Sequence, residues 1–198
     1  MFNPVAAVTP LARGAAIASG WLLLAISFAT VFEIVARRWF GYSLRGVDEV
    51  SGYALAITSA CGFCWAFVTR SHMRITLLFP YLPPIARTLL NLLAALALAG
   101  MALFCAWRGW NELMANFASG RAANTPLQTP LWIPQSFWFA GLALFALTTG
   151  VAAAHAIGLA FRDRGLLDRL YGPASLEEEV RAEVSQLETR LTEEGTKP

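Results

Sequence analysis

Charged side chains make up only 14% of the 198 residues, and they are missing altogether, together with histidine, from four blocks: residues 14–32, 50–69, 88–107 and 131–154. With 57% of residues apolar and a mean hydropathy of +0.52, a soluble domain with a solvated surface is excluded. The sequence holds two histidines and three cysteines. The spans contain no polar cluster, no nucleophile beside a base, no phosphate loop and no metal set, so neither an enzyme nor a cofactor protein is predicted. Mid-membrane ionisable residues and interrupted helices are equally scarce, which argues against a translocation path formed by this chain alone. The runs also lack the alternation of lipid-facing and lumen-facing residues that a barrel requires.

What is present is length. At 1.5 Å per residue about 20 residues cross the roughly 30 Å hydrocarbon core, and a single span must satisfy its own backbone hydrogen bonds, which only a helix does. The blocks are 19, 20, 20 and 24 residues long. They predict an all-α membrane protein with four transmembrane helices at about residues 14–36, 49–69, 86–107 and 131–161. The first run exceeds a signal h-region and ends in Glu33, Arg37 and Arg38, not in a small-residue cleavage site, so it is expected to stay.

Four spans put both termini on one side. Arg13, Arg70, Arg74, Arg87, Arg162, Arg164 and Arg169 flank that side, against Arg37, Arg38, Arg45, Arg108 and Arg121 on the other, so residues 1–14 and 162–198 are expected in the cytoplasm of a bacterial inner-membrane protein. Trp107, Trp110, Leu113, Met114 and Phe117 recur at three and four and predict an interfacial amphipathic segment continuing the third span. Pro126, Pro130 and Pro134 predict an irregular approach to the fourth. Ser175 and Glu178 could cap a charged cytoplasmic C-terminal helix with a narrow stripe at Val180, Val184, Leu187 and Leu191.

Small residues recur every four positions at Ala54, Thr58, Gly62 and Ala66 and at Ala146, Gly150, Ala154 and Gly158, which predicts close-packing faces, within the chain or against another subunit. Cys61 and Cys64 match C-x-x-C, but inside a span and without a nearby histidine or third thiol they read as structural, as does Cys105. His72 and His155 are the only basis for a haem-bearing membrane anchor, and their different depths tell against paired axial ligation; His155 fits better as a hydrogen-bonded packing residue. Glu33 precedes Arg37 by one helical turn, and Asp48 and Glu49 open the second span at the positive end of its dipole. Glu33 and His155 are the intramembrane polar candidates.

Four short stretches, in order, resemble a known family. Phe32-Glu33-Ile34-Val35-Ala36-Arg37-Arg38-Trp39-Phe40 closes the first span in an Arg-aromatic pair, and Val47-Asp48-Glu49 is similar to an acidic start of the second, with Val47 where an aromatic is usual. Arg70-Ser71-His72-Met73-Arg74-Ile75 with Leu82-Pro83 follows, with Thr76 where Asp is common, and Leu131-Trp132-Ile133-Pro134 leads into the fourth span. Across residues 15–160 this looks like the small membrane subunit, DctQ-like, of tripartite ATP-independent periplasmic (TRAP) transporters. The resemblance implies a scaffold, not a pore. A larger membrane subunit would carry the substrate and coupling-ion sites and move small organic anions, dicarboxylates among them, by an elevator-like mechanism, and a periplasmic binding protein would deliver them. It also implies that Arg38, Asp48, Glu49, His72 and Arg74 contact the partner subunit or lipid headgroups.

Overall fold

The computed structural model describes residues 4–41, 46–69 and 82–172 and, in the tail, residues 184, 185 and 187. Its helices are α1 (Pro4–Phe40), α2 (Val47–Val68), α3 (Pro84–Ser119), α4 (Trp132–Arg162) and the short α5 (Arg164–Tyr171). Four of them are long and apolar enough to cross a membrane, and no strand occurs among the described residues, where the one pairing outside helices is an isolated bridge between Ala122 and Pro130. The expected all-α, four-span class is therefore what the chain adopts. Arg45, Arg70, His72, Arg74 and the Ser175–Glu178 cap lie outside the described residues. Val184 and Leu187 are helical and exposed.

The ends of the helices follow local chemistry. Pro84 occupies the first turn of α3, where a missing N–H costs nothing. At the other end Gly120 adopts φ 59°, and Gly120 N–H and Arg121 N–H donate to the carbonyls of Phe117 and Asn116, a Schellman closure. Between them α3 is continuous for 36 residues, so the Trp107 to Phe117 stretch prolongs the third span as the same helix. In that stretch Gly109, Leu113 and Asn116 are buried, and Trp110, Met114 and Phe117 face outward. Asp163 ends α4 and caps α5, its carboxylate accepting from Leu166 N–H at 3.0 Å.

Helix α4 is the centre of the bundle and packs on every other helix, with α2 and α3 against it, α1 mainly against α2, and α5 folded back onto α3 and α4. Among the glycines within the long helices the closest approach is at Gly141, where a Cβ would lie 2.9 Å from the Ala60 Cβ and 3.2 Å from backbone atoms of Ala60 and Cys61. Only part of the every-four stripe expected on this helix packs within the chain. Ala146 is buried, but Ala154 and Gly158 are exposed, and side chains added at Gly150 or Gly158 would meet nothing within 4 Å. A four-residue step turns a helix through 400°, so a strict stripe drifts around it, whereas the buried set Gly141, Phe145, Thr148, Ala152, Ala156 and Leu159 alternates fours and threes and stays on one side. In α2, likewise, Ala54 and Thr58 are packed, the latter against α1, Gly62 has open space beside it, and Ala60 and Cys64 face α4.

Candidate functional site

Polar side chains buried in an apolar bundle must find partners; Ser19, Thr148 and Thr149 bond carbonyls of their own helices in mid-span, and the contacts between elements gather mainly at the two ends. At the first end the α3–α4 connection folds back over the start of α2. Ala123 N–H donates to Thr129 O at 2.9 Å, Leu131 N–H to Arg121 O at 3.1 Å and Gln128 N–H to Thr125 O at 3.1 Å, with Gln128 itself at φ 51°. The turn so made delivers Thr125 to Glu49. One Glu49 carboxylate oxygen accepts from the Thr125 hydroxyl, and the other accepts from Tyr53 one turn along α2 at 2.8 Å. Leu127 lies directly over Gly46, whose φ of 109° only glycine adopts easily. On the α1 side of this end the Thr30 and Ser51 hydroxyls are 3.4 Å apart, and Glu33, 5% exposed, pairs with Arg37 at 3.7 Å. A third polar contact joins α3 to α4: Asn116 donates to Glu112 at 3.2 Å and to Gln135 at 3.0 Å.

At the opposite end the acceptor is Asp168, on α5. One oxygen takes the Asn91 amide at 2.8 Å and the other the Thr88 hydroxyl at 3.1 Å, both from the first turns of α3. A turn away, the His155 ring nitrogen Nδ1 is 2.9 Å from the Tyr171 hydroxyl, with the rings edge to face at 5.9 Å. His155 is thus a hydrogen-bonded packing residue that links α4 to α5. Cys64 is buried with its sulfur 3.5 Å from the Thr148 hydroxyl, and Cys61, Cys64 and Cys105 are all free thiols.

Of the residues singled out in the sequence, Glu49 is held inside the chain, Glu33 is buried and paired, and Arg38 and Asp48 are exposed beside them at the same end. His72 and Arg74 lie outside the described residues. The Asp168 tie was missed. Its signal was present in Asp163 as a cap and in Leu166, Leu167, Leu170 and Tyr171 at helical spacing, within a stretch dominated by charge. Both clusters consist of carboxylates, amides and hydroxyls that satisfy one another. Such sets fasten helices; they do not polarise a substrate.

A comparison with family models matches residues 26–160, from the middle of α1 to the end of α4, to the family described as tripartite ATP-independent periplasmic transporters, DctQ component. No curated protein and no solved structure matches the chain.

Proposed function

The chain belongs to the DctQ component family of tripartite ATP-independent periplasmic transporters, and from that membership we propose that it is a scaffold that holds the large permease subunit in the bacterial inner membrane while that subunit moves small organic anions. The coarser part stands on the family and the fold: this is a multi-pass membrane protein and the small permease component of a TRAP transporter. In the proposed assembly a periplasmic binding protein delivers the anion, and both termini of the chain are cytoplasmic.

One observation carries the scaffold role. Apart from the buried Asn116 Oδ1, the polar groups between the described helices are engaged with one another, whereas the outer faces of α1 and α3 present large apolar side chains such as Trp21, Phe28, Phe104 and Trp107. A chain built this way is fitted to grip lipid and neighbouring protein. The exposed charges beside the Glu49 tie, Arg38 and Asp48, together with His72 and Arg74, are the proposed contacts to the partner or to headgroups.

Copurification tests the proposal. A tagged chain coexpressed with the large permease subunit of the same transporter is expected to retain that permease through detergent extraction, and Arg38→Ala with Asp48→Ala to reduce the retained fraction several-fold. A wild-type chain that leaves the column alone would remove the scaffold role.

A further inference from the structure

The four neutral blocks are nearly equal in length, but the structure does not set them at one level. On α4, Gly141 faces Ala60 of α2, while the adjacent residues Trp138, Phe139 and Leu142 face Gly109 of α3, where an added Cβ would lie 3.3 to 3.6 Å from them. Ala60 and Gly109 therefore share one height along the bundle. Ala60 is the middle of the neutral block 50–69, whereas Gly109 stands just past Arg108, which terminates the block 88–107.

The offset repeats at the other end. From this shared height Thr69, the last residue of the neutral block 50–69, is nine residues on, about 14 Å, and Thr88, the first residue of the block on α3, is 21 residues along, about 32 Å. Helix α1 keeps level with α2, because Thr58 donates to the Ser19 carbonyl and Thr30 meets Ser51. The apolar band of α3 is thus shifted as a unit toward the Asp168 end, by about 15–18 Å relative to α1 and α2. Upright, the bundle would hold exposed Arg108 opposite the hydrocarbon centre of α2.

We propose that the bundle lies obliquely in the bilayer, its helices inclined by about 35–45°, so that all four neutral blocks fall in one slab. The offset gives this figure. A shift of about 15–18 Å between helices that both pack on α4, and so stand up to two interaxial spacings or about 16–20 Å apart, corresponds to a slope near 40°.

Inclination has a consequence for the far end of α3. Beyond Arg108, Trp110, Met114 and Phe117 remain exposed, and Phe117 stacks edge to face on Trp132 at 5.7 Å. In the oblique placement this aromatic face rests in the headgroup layer at the Glu49 end, with lipid as its partner, as tryptophan prefers. None of this depends on the proposed transport role.

Depth measurement on the full-length chain tests it. In a Cys61→Ala, Cys64→Ala, Cys105→Ala background, single nitroxide labels are introduced through Ser59→Cys, Arg108→Cys, Thr69→Cys and Met101→Cys in phosphatidylethanolamine–phosphatidylglycerol liposomes. Ser59 and Arg108 share one level of the bundle, and Thr69 and Met101 share another. The expected result is crossed: the label at Ser59 lies nearer the bilayer centre than that at Arg108, and the label at Met101 nearer than that at Thr69, with the members of each pair separated along the membrane normal by about 12–15 Å. Equal depths within each pair would overturn the proposal. Polarised infrared spectroscopy of the unsubstituted chain in oriented bilayers supplies a second reading free of the cysteine replacements; a mean helix inclination below about 20° would overturn it as well.

Discussion

The two polar ties use one chemistry in different surroundings. Glu49 takes a hydroxyl from its own helix and another from a loop, at an end where its neighbour Asp48 is exposed. Asp168 takes its donors from Asn91, 2% exposed, and Thr88, 8% exposed, and by doing so fastens a terminal helix to the bundle. What separates them is the fate of the partners. If Glu49 is lost, Tyr53 and Thr125 can turn toward water or headgroups; if Asp168 is lost, Asn91 is left buried with an unpaired amide. The first tie shapes a loop, and the second closes the fold.

The largest expected effect follows from that asymmetry. Asp168→Ala should lower stability by about 2–3 kcal/mol, the range for charge-assisted hydrogen bonds with buried partners, as measured by thermal unfolding in detergent followed by helical circular dichroism. Asp168→Asn retains one acceptor and should fall between the variant and wild type. A neutral Asp168→Ala would erase the distinction between the ends.

Glu49→Ala comes next, with a smaller global loss and a distinct local one: cleavage within residues 120–131 by an added protease should accelerate several-fold while helix content holds. Because the ties sit at opposite ends of the bundle, the two substitutions should add within about 0.5 kcal/mol, whereas Glu49→Ala with Thr125→Ala should be far from additive. Smallest is Tyr171→Phe, which removes one hydrogen bond to His155 and should cost about 0.5–1.5 kcal/mol in the same unfolding assay.

The spans were readable because hydrophobic length is a property of contiguous residues, and the four blocks map onto α1 to α4 directly. Glu49 stood out for the same local reason, an acid in a first helical turn. Its main partner, Thr125, did not, since 76 residues separate them and only the folded connection brings them together. The face of α4 that packs within the chain was not given by small residues at strict intervals of four, because the helix repeats every 3.6. Helix α5 escaped because eight residues that include two arginines and an aspartate look like the start of a solvated tail, and nothing local reveals that Asn91 and Thr88 wait for its aspartate.

In the proposed division of labour this chain supports transport without performing it. Proteoliposomes separate the two most directly: the chain alone, the large permease alone, and both together, each given the cognate periplasmic binding protein loaded with a radiolabelled organic anion. Uptake confined to the combined vesicles is the predicted result. Uptake by vesicles holding only this chain, or full uptake by the large permease without it, would contradict the account.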